Sequence, residues 1–179
     1  RPTGGDWQPS GSATMMGSNS LNNLNSTRLS GFSEFGVGMG CGNIVSTDAD
    51  NGVGSLRYVL ANCISSGDTV KFDSSLSLLL ITSDTIQLDK NVTIYATDQD
   101  NITIQGDGAH SLLNVKLGVS AKIQNLELIS GNGIDGRAVL NAGSLQLHDI
   151  QIHDEGTGGS TILNRGELIV VGQTGIYNQ

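Results

Sequence analysis

Aromatic residues, proline and cysteine are all scarce in this chain. Its 179 residues include only 4% aromatics, 2 Pro and 2 Cys, and 37% are hydrophobic. Large rings therefore cannot build a thick globular core, whereas small aliphatic side chains stacked in register can fill a repetitive one. With so little proline, the turns depend on the 25 glycines, which adopt positive φ without strain.

Basic residues and long apolar runs are scarce as well. The 9 Lys and Arg are outnumbered by 17 Asp and Glu, and the resulting net charge of −8 argues against nucleic acid as a partner. No run of about 18 apolar residues occurs, so no membrane-spanning helix is predicted. The chain begins at Arg1 without an initiator Met or a signal peptide, so we expect a processed form or a fragment.

The two cysteines, Cys41 and Cys63, lie 22 residues apart. Neither belongs to a CxxC motif or to a Cys/His spacing, which argues against a metal site. A disulfide between them is predicted if the protein is exported. The alternative is a pair of inert, buried thiols.

Aliphatic residues recur at a fixed interval of 24 residues in the second half of the chain. The ladder consists of Ile104, Leu128, Ile152 and Ile176. A second repeat runs beside it, because the pattern of Leu140–Leu147 returns 23 residues later in Leu163–Val170. Self-similarity at a fixed period in this range is typical of a solenoid.

Short predicted strands follow one another from residue 69 onwards. They are 69–72, 78–82, 85–88, 92–95, 102–105, 112–115, 122–128, 138–141, 145–147, 150–152, 161–164, 168–171 and 175–177. Three strands per repeat form one coil of triangular cross-section, and successive coils stack about 4.8 Å apart with parallel pairing. The chain is therefore predicted to be all-β, a right-handed parallel β-helix of about four or five coils over residues 41–179.

Alternation along the strands predicts which side chains face inward. Inward-facing residues are Ile102, Ile104, Leu126, Leu128, Ile150 and Ile152, and outward-facing residues are Thr103, Glu127 and Gln151. Asn114, Asn141 and Asn164 each follow an aliphatic pair. Since an Asn side chain can turn inward at a corner and bond its counterpart one coil away, we expect these three residues to form an asparagine ladder.

The two ends of the chain differ from its middle. Residues 55–64 are predicted to form a short amphipathic helix with Ser55 as its N-cap, and this helix would cover the first coil. Residues 1–40 are rich in Gly, Ser and Asn and are either a linker or the end of an upstream β-domain. The ladder reaches Ile176, so we expect a β-helix truncated at its C-terminus, its open edge covered by further coils or a partner chain.

Two motifs resemble a known family. Asp50–Asn62, which contains GSLR, is followed by Ser66–Phe72, which contains GDTV, and this opening resembles that of parallel β-helix domains in bacterial secreted and surface proteins. The polymorphic-outer-membrane-protein-like and choice-of-anchor exoproteins have such domains. Their later GG-x-I-x-N-x-G-x-L repeat resembles Gly159–Leu168 and, more weakly, Gly136–Leu145. The resemblance covers residues 44–179.

The resemblance implies export, display at the cell surface and an adhesin-like role. Leu29–Val37 also looks like the closing strand of β-domains that precede such modules in large secreted Bacteroidetes proteins. The family supplies no catalytic motif, so no residue of this chain acquires a catalytic role from it.

Four titratable residues form the most reactive-looking cluster in the sequence. His148 and Asp149 precede the predicted strand 150–152, and His153 and Asp154 follow it. In β-helix enzymes that degrade polysaccharides, such groups act as acid, base or calcium ligands. Their position at the ends of a strand favours solvated corners instead.

Two weaker candidates concern acidic sugars and calcium. Arg137 and Arg165 lie 28 residues apart and could stack on one face to bind an acidic sugar. Ser130–Gly136 resembles a calcium-binding nonapeptide, but it stands alone, so we interpret it as a loop. We expect no cofactor and no metal, with calcium as the alternative.

These observations favour a non-catalytic, secreted or cell-surface module that presents a flat face to glycan or protein partners, or that acts as a rigid stalk. The first alternative is a β-helix lyase or glycoside hydrolase acting on an acidic polysaccharide. The second is a cargo or subunit of a larger secretion or surface assembly.

Overall fold

The protein folds as a parallel β-solenoid of about 5 turns, within the compact unit Asn43–Gln179. The computed structural model describes residues 41–97, 102–129, 138–154 and 160–178. Turns of about 24 residues, with one short helix among the described residues, confirm the predicted all-β solenoid. The predictions for Leu29–Val37, Arg137 and Ser130–Gly136 concern positions outside the described residues.

The described residues contain fifteen strands. These are β1 (Ile44–Val45), β2 (Asp68–Phe72), β3 (Leu78–Ile81), β4 (Ile86–Leu88), β5 (Val92–Tyr95), β6 (Ile102–Gly106), β7 (Leu113–Val115), β8 (Ser120–Gln124), β9 (Leu126–Ile129), β10 (Val139–Asn141), β11 (Ser144–His148), β12 (Gln151–Asp154), β13 (Ile162–Asn164), β14 (Glu167–Val171) and β15 (Gly175–Asn178).

The strands form three parallel sheets, which the chain visits in the same order on each turn. Sheet 1 has the order β1-β2-β5-β8-β11-β14, sheet 2 has β3-β6-β9-β12-β15, and sheet 3 has β4-β7-β10-β13. Each strand pairs with the corresponding strand of the next turn. The side chains of one turn therefore lie directly above those of the turn before.

The aliphatic ladder lies in sheet 2, as predicted. Ile104, Leu128, Ile152 and Ile176 are Cα partners on successive strands, and Leu79 of β3 extends the ladder by one turn. All six residues predicted to face inward are buried. Ile176, in the last described turn, is 47% exposed because it is packed on one side only.

The corner between sheets 1 and 2 was not foreseen, since 122–128 was predicted as one strand. Asn125 interrupts it with a φ of 55°, and Asp149 has a φ of 53° at the same position one turn later. Gly172, with a φ of 70°, occupies this corner in the last described turn. Asn, Asp and Gly tolerate the left-handed conformation best. The three-residue step from the buried Ile123 to the buried Leu126 marks the interruption.

The corner between sheets 3 and 1 explains the Asn-x-Gly repeat. Nδ2 of the buried Asn141 donates to Oδ1 of Asn164 at 2.7 Å and to the Glu167 carbonyl at 2.7 Å. The backbone N–H of Gly143 donates to Oδ1 of Asn141 at 3.1 Å. A Cβ on Gly166 would collide with the Gly143 carbonyl oxygen. Both residue types are therefore required by the close stacking of successive corners.

Asn114 does not join this asparagine stack, so its predicted place in the ladder is wrong. It is the Cα partner of Leu140, while Val115 is the partner of Asn141. Its Nδ2 donates to Oε1 of Gln87 at 2.9 Å on the outside of sheet 3. The asparagine in Leu113–Val115 precedes the inward corner position by one residue, and a one-residue offset reverses the side-chain direction.

The predicted helix begins at the expected residue, but its second part is a π-helix instead of an α-helix. Ser55 is its N-cap, and its Oγ accepts a hydrogen bond from the Tyr58 backbone N–H at 3.2 Å. Leu56–Tyr58 is α-helical (α1), whereas Val59–Cys63 is π-helical, a form that the sequence pattern did not predict. Leu56, Val59 and Leu60 are buried in the same apolar cluster as the strands.

Two cations join the helix to the first complete turn. Arg57 donates to the carbonyl oxygens of Asp84 at 2.6 Å and Thr85 at 3.4 Å, where β4 begins at the end of sheet 3. Nζ of Lys90 donates to the carbonyl oxygens of Leu60 and Ala61 at 3.1 and 2.9 Å. Carbonyls at a strand edge and at a helix end are thereby satisfied.

Asp50 connects the opening motif to the loop before β4. Its Oδ1 accepts from Nη2 of Arg57 at 2.9 Å, and its Oδ2 accepts from the backbone N–H groups of Thr82 at 3.0 Å and Ser83 at 2.7 Å. Burial by itself raises the pKa of Asp50. The hydrogen bonds from Ser83, Arg57 and Thr82 outweigh it and lower the pKa to about 2.

Candidate functional site

The outer face of sheet 2 carries two rows of side chains that run along the solenoid axis. Row A consists of Leu78, Thr103, Glu127, Gln151 and Gly175, and row B consists of Leu80, Gln105, Ile129, His153 and Tyr177. The outward direction of Thr103, Glu127 and Gln151 agrees with the alternation of the sequence. Each row has one member per turn.

A groove of about 400 Å³ lies between row A and the corner that joins sheets 1 and 2. On the corner side it is lined by Thr97, Asn125 and Asp149, which lie on three successive turns. On the sheet side it is lined by Thr103, Glu127 and Gln151, again one residue per turn. Ile102 and Leu126 also border it, but they face the core and are buried. The accessible walls of the groove are therefore polar.

Glu127 lies in the middle of row A and is held by two neighbours. Oγ1 of Thr103 donates to its Oε2 at 2.7 Å, and Nε2 of His153 lies 3.3 Å from its Oε1. The side chains of His153 and Glu127 are 33% and 39% exposed. The carboxylate is therefore oriented by the protein and still open to solvent.

Two aromatic side chains of row B, His153 and Tyr177, lie next to each other on successive turns. The rings of His153 and Tyr177 stack with centroids 4.9 Å apart and planes 13° from parallel. A Cβ on Gly175 would lie 2.6 Å from the ring and the hydroxyl of Tyr177 and 2.5 Å from Oε1 of Gln151. The glycine at this place in row A makes room for the tyrosine ring.

Asp149 closes the groove at the corner. Its Oδ1 accepts from the backbone N–H of Gln173 at 2.6 Å, and Nδ1 of His148 lies 2.8 Å from its Oδ2. The histidine atom is buried and has no hydrogen-bond partner among the described residues. The His148–Asp149 pair is therefore close without the alignment of a hydrogen bond.

The structure separates the four residues of the sequence-based catalytic alternative. His148 and Asp149 lie at the corner, whereas His153 stands in row B beside Glu127. Asp154 is only 3% exposed, and its Oδ2 accepts from Oγ1 of the buried Thr161 at 3.2 Å. The expectation that all four occupy solvated corners is wrong for Asp154, because the alternation of β12 turns it inward.

Glu127 is the residue that sequence reasoning missed as a candidate. It was predicted to face outward, but no chemistry was attached to it. The signal was present, because Glu127 precedes Gln151 by one 24-residue period. Taking outward residues one period apart would have placed Glu127 in the same row as Gln151.

Arg165 lies away from this groove. It follows β13 at the corner between sheets 3 and 1, and its backbone N–H donates to the Asn141 carbonyl at 2.7 Å. No group of three or more His, Cys, Asp or Glu that could hold a metal ion occurs among the described residues. Within the same ranges, no helix is long and apolar enough to cross a membrane.

Cys41 and Cys63, the two cysteines of the chain, are disulfide-bonded in the structure.

Comparison with known proteins adds no family to these observations. No family model, curated protein or solved structure matches this chain. The geometry of the groove and of the outer face of sheet 2 is therefore the basis for a functional proposal.

Proposed function

We propose that this protein is a non-catalytic binding module that presents the outer face of sheet 2 to a glycan. The observation that carries the proposal is the groove of about 400 Å³ beside row A. It presents hydroxyl, amide and carboxylate groups from Thr103, Asn125, Glu127 and Gln151. Sugar hydroxyl groups both donate and accept hydrogen bonds, so these side chains complement them.

The rigidity of the site supports binding. Gln151 donates through Nε2 to the Gln173 carbonyl at 3.0 Å, and Glu127 is held by Thr103 and His153. Side chains that are already oriented lose less conformational entropy when a ligand binds. A parallel sheet whose strands are paired on both sides keeps them in place.

Export and surface display form part of the same proposal. The disulfide-bonded Cys41 and Cys63 suit an oxidising compartment. The opening motif resembles that of bacterial surface β-helix domains, for which an adhesin-like role is the expectation. Glycan binding at a cell surface agrees with both observations.

The arrangement of the histidines and aspartates weighs against an enzyme. A pair of catalytic carboxyl groups must reach the same bond of the substrate, yet Asp154 is buried and bonded to Thr161. Its inward position removes one of the four groups on which the polysaccharide-degrading alternative depends.

Glycan binding by the wild-type protein and by two glutamine variants tests the proposal. Gln151→Ala removes an amide from row A, and Gln146→Ala removes one from the outer side of sheet 1 in the same turn. We expect a glycan array to show binding by the wild type. Calorimetry with the best ligand should then show a loss of about tenfold for Gln151→Ala, the value of one hydrogen bond, and no change for Gln146→Ala. Equal effects of the two variants would reject the groove as the site.

A further inference from the structure

We propose that the groove binds a linear glycan lengthwise along the solenoid axis and prefers chains that carry free amino groups. This inference rests on the proposed function and specifies its ligand. Two independent features of the groove support it, its translational repeat and the sign of its charge.

The lining of the groove repeats from turn to turn. Thr103, Glu127 and Gln151 occupy one register position on β6, β9 and β12. Successive strands are about 4.8 Å apart, so these residues offer hydrogen-bonding groups at regular steps along the axis. A compact ligand would contact one step, whereas a linear chain of sugar rings contacts all three.

The charge of the lining has one sign. Glu127 and Asp149 line the groove, and no lysine or arginine lines it among the described residues. The chain as a whole carries a formal net charge of −8. Carboxylates attract ammonium groups and repel uronic acids or sulfates. The acidic polysaccharide named in the sequence-based alternative is therefore the ligand class that fits least well.

Both carboxylates retain the capacity to accept hydrogen bonds from a ligand. The side chains of Glu127 and Asp149 are each 39% exposed. Each carboxylate already accepts one hydrogen bond, from Thr103 or Gln173, and has one histidine nitrogen beside it, that of His153 at 3.3 Å or of His148 at 2.8 Å. A carboxylate offers about four lone-pair sites, so the protein contacts orient these groups without saturating them.

Oligosaccharides that differ in charge and length test the inference. The probes are chitosan oligomers, their N-acetylated counterparts and oligogalacturonates, each from dimer to hexamer, at a mildly acidic pH that keeps the amines protonated. We expect the affinity to rise with length until the groove is filled. Chitosan oligomers should bind about tenfold more tightly than the N-acetylated chains, and oligogalacturonates should bind most weakly.

Isosteric variants identify which carboxylates cause the preference for ligands with charged amino groups. Glu127→Gln and Asp149→Asn keep the side-chain shape, and Asn is also tolerated at the φ of 53° found for Asp149. Each should reduce the preference for amines and leave binding of N-acetylated chains intact. Glu167→Gln is the matched control, because Glu167 also accepts a hydroxyl from the previous turn, Oγ of Ser144 at 2.8 Å, but on sheet 1.

The possible outcomes separate this inference from the proposed function. Binding of neutral glycans with no preference for amines, or with no dependence on length, would overturn the inference and leave the proposed function standing. Tightest binding of oligogalacturonates would do the same. Absence of binding to every glycan would contradict both the inference and the proposed function.

Discussion

At the scale of single residues, the carboxylate of Asp50 is held by several partners at once. It is 8% exposed and accepts hydrogen bonds from Arg57, Thr82 and Ser83. Arg57 in turn reaches the carbonyls at the start of β4. The GSLR part of the opening motif is thus explained by stability, because its arginine joins the helix, Asp50 and sheet 3.

Replacing Asp50 by Asn should destabilise the protein by about 2 kcal/mol at neutral pH. The pKa of Asp50 is lowered from 3.8 to about 2, so its contribution is present above pH 3.8 and is lost as the pH falls towards 2. Urea unfolding followed by circular dichroism over this range should show a weaker pH dependence for the variant. Asp48→Asn, at an exposed position, is the control, and equal stability of the two variants would contradict the prediction.

At the scale of elements, the corners decide how closely the turns stack. The corner after sheet 1 uses left-handed residues such as Asn125 and Asp149. The corner after sheet 3 uses the stacked Asn-x-Gly sequences that contain Asn141 and Asn164. Strand interiors tolerate many aliphatic residues, whereas the corners accept few residue types.

Replacing Gly143 by Ala should cost about 3 kcal/mol. Its Cβ would collide with the backbone carbonyl oxygens of Lys116 and Val119 on the preceding turn. Gly166→Ala meets a similar obstacle at the Gly143 carbonyl oxygen and should also destabilise the protein. Thermal unfolding measures both, with Gly42→Ala as the control, since no atom lies within 4 Å of a Cβ there. A melting temperature of Gly143→Ala equal to that of the control would show that the corner is not close-packed.

At the scale of the whole molecule, stability comes from stacking each turn on the next. The buried apolar cluster runs from Val45 of β1 to Ile152 of β12. In the last described turn, Val170 and Ile176 occupy inward register positions yet are 50% and 47% exposed. Burial in a solenoid therefore depends on neighbouring turns more than on the hydrophobicity of a single strand.

The disulfide-bonded cysteines should stabilise the protein by restricting its unfolded chain. Thiol titration of the denatured protein should detect no free thiol before reduction and 2 after it. The double variant Cys41→Ser, Cys63→Ser should unfold with about 3 kcal/mol less free energy than the oxidised wild type. It should match the reduced wild type, which is the internal control. Free thiols in protein purified without reductant would contradict the bond.

Parts of the candidate site could be predicted, and parts could not. The outward direction of Glu127 and Gln151 followed from alternation, which depends only on neighbours along the strand. The end of the strand could not be foreseen, since it was predicted at residue 152, whereas β12 continues to Asp154. Once the strand continues, the alternation that turns Ile150 and Ile152 inward also turns Asp154 inward.

The amino-acid sequence by itself determined the fold class, the period of about 24 residues, the inward aliphatic ladder and the N-cap at Ser55. These properties depend on local periodicity and on the backbone preferences of individual residues. Only the tertiary structure decided which outward side chains from different turns meet, such as Glu127 with His153, and that Asn114 lies outside the asparagine stack. The physical reason is that the number of residues between partner positions varies, from 29 between Ile94 and Ile123 to 23 between Asn141 and Asn164. The register of one turn on the next is therefore set by pairing in three dimensions.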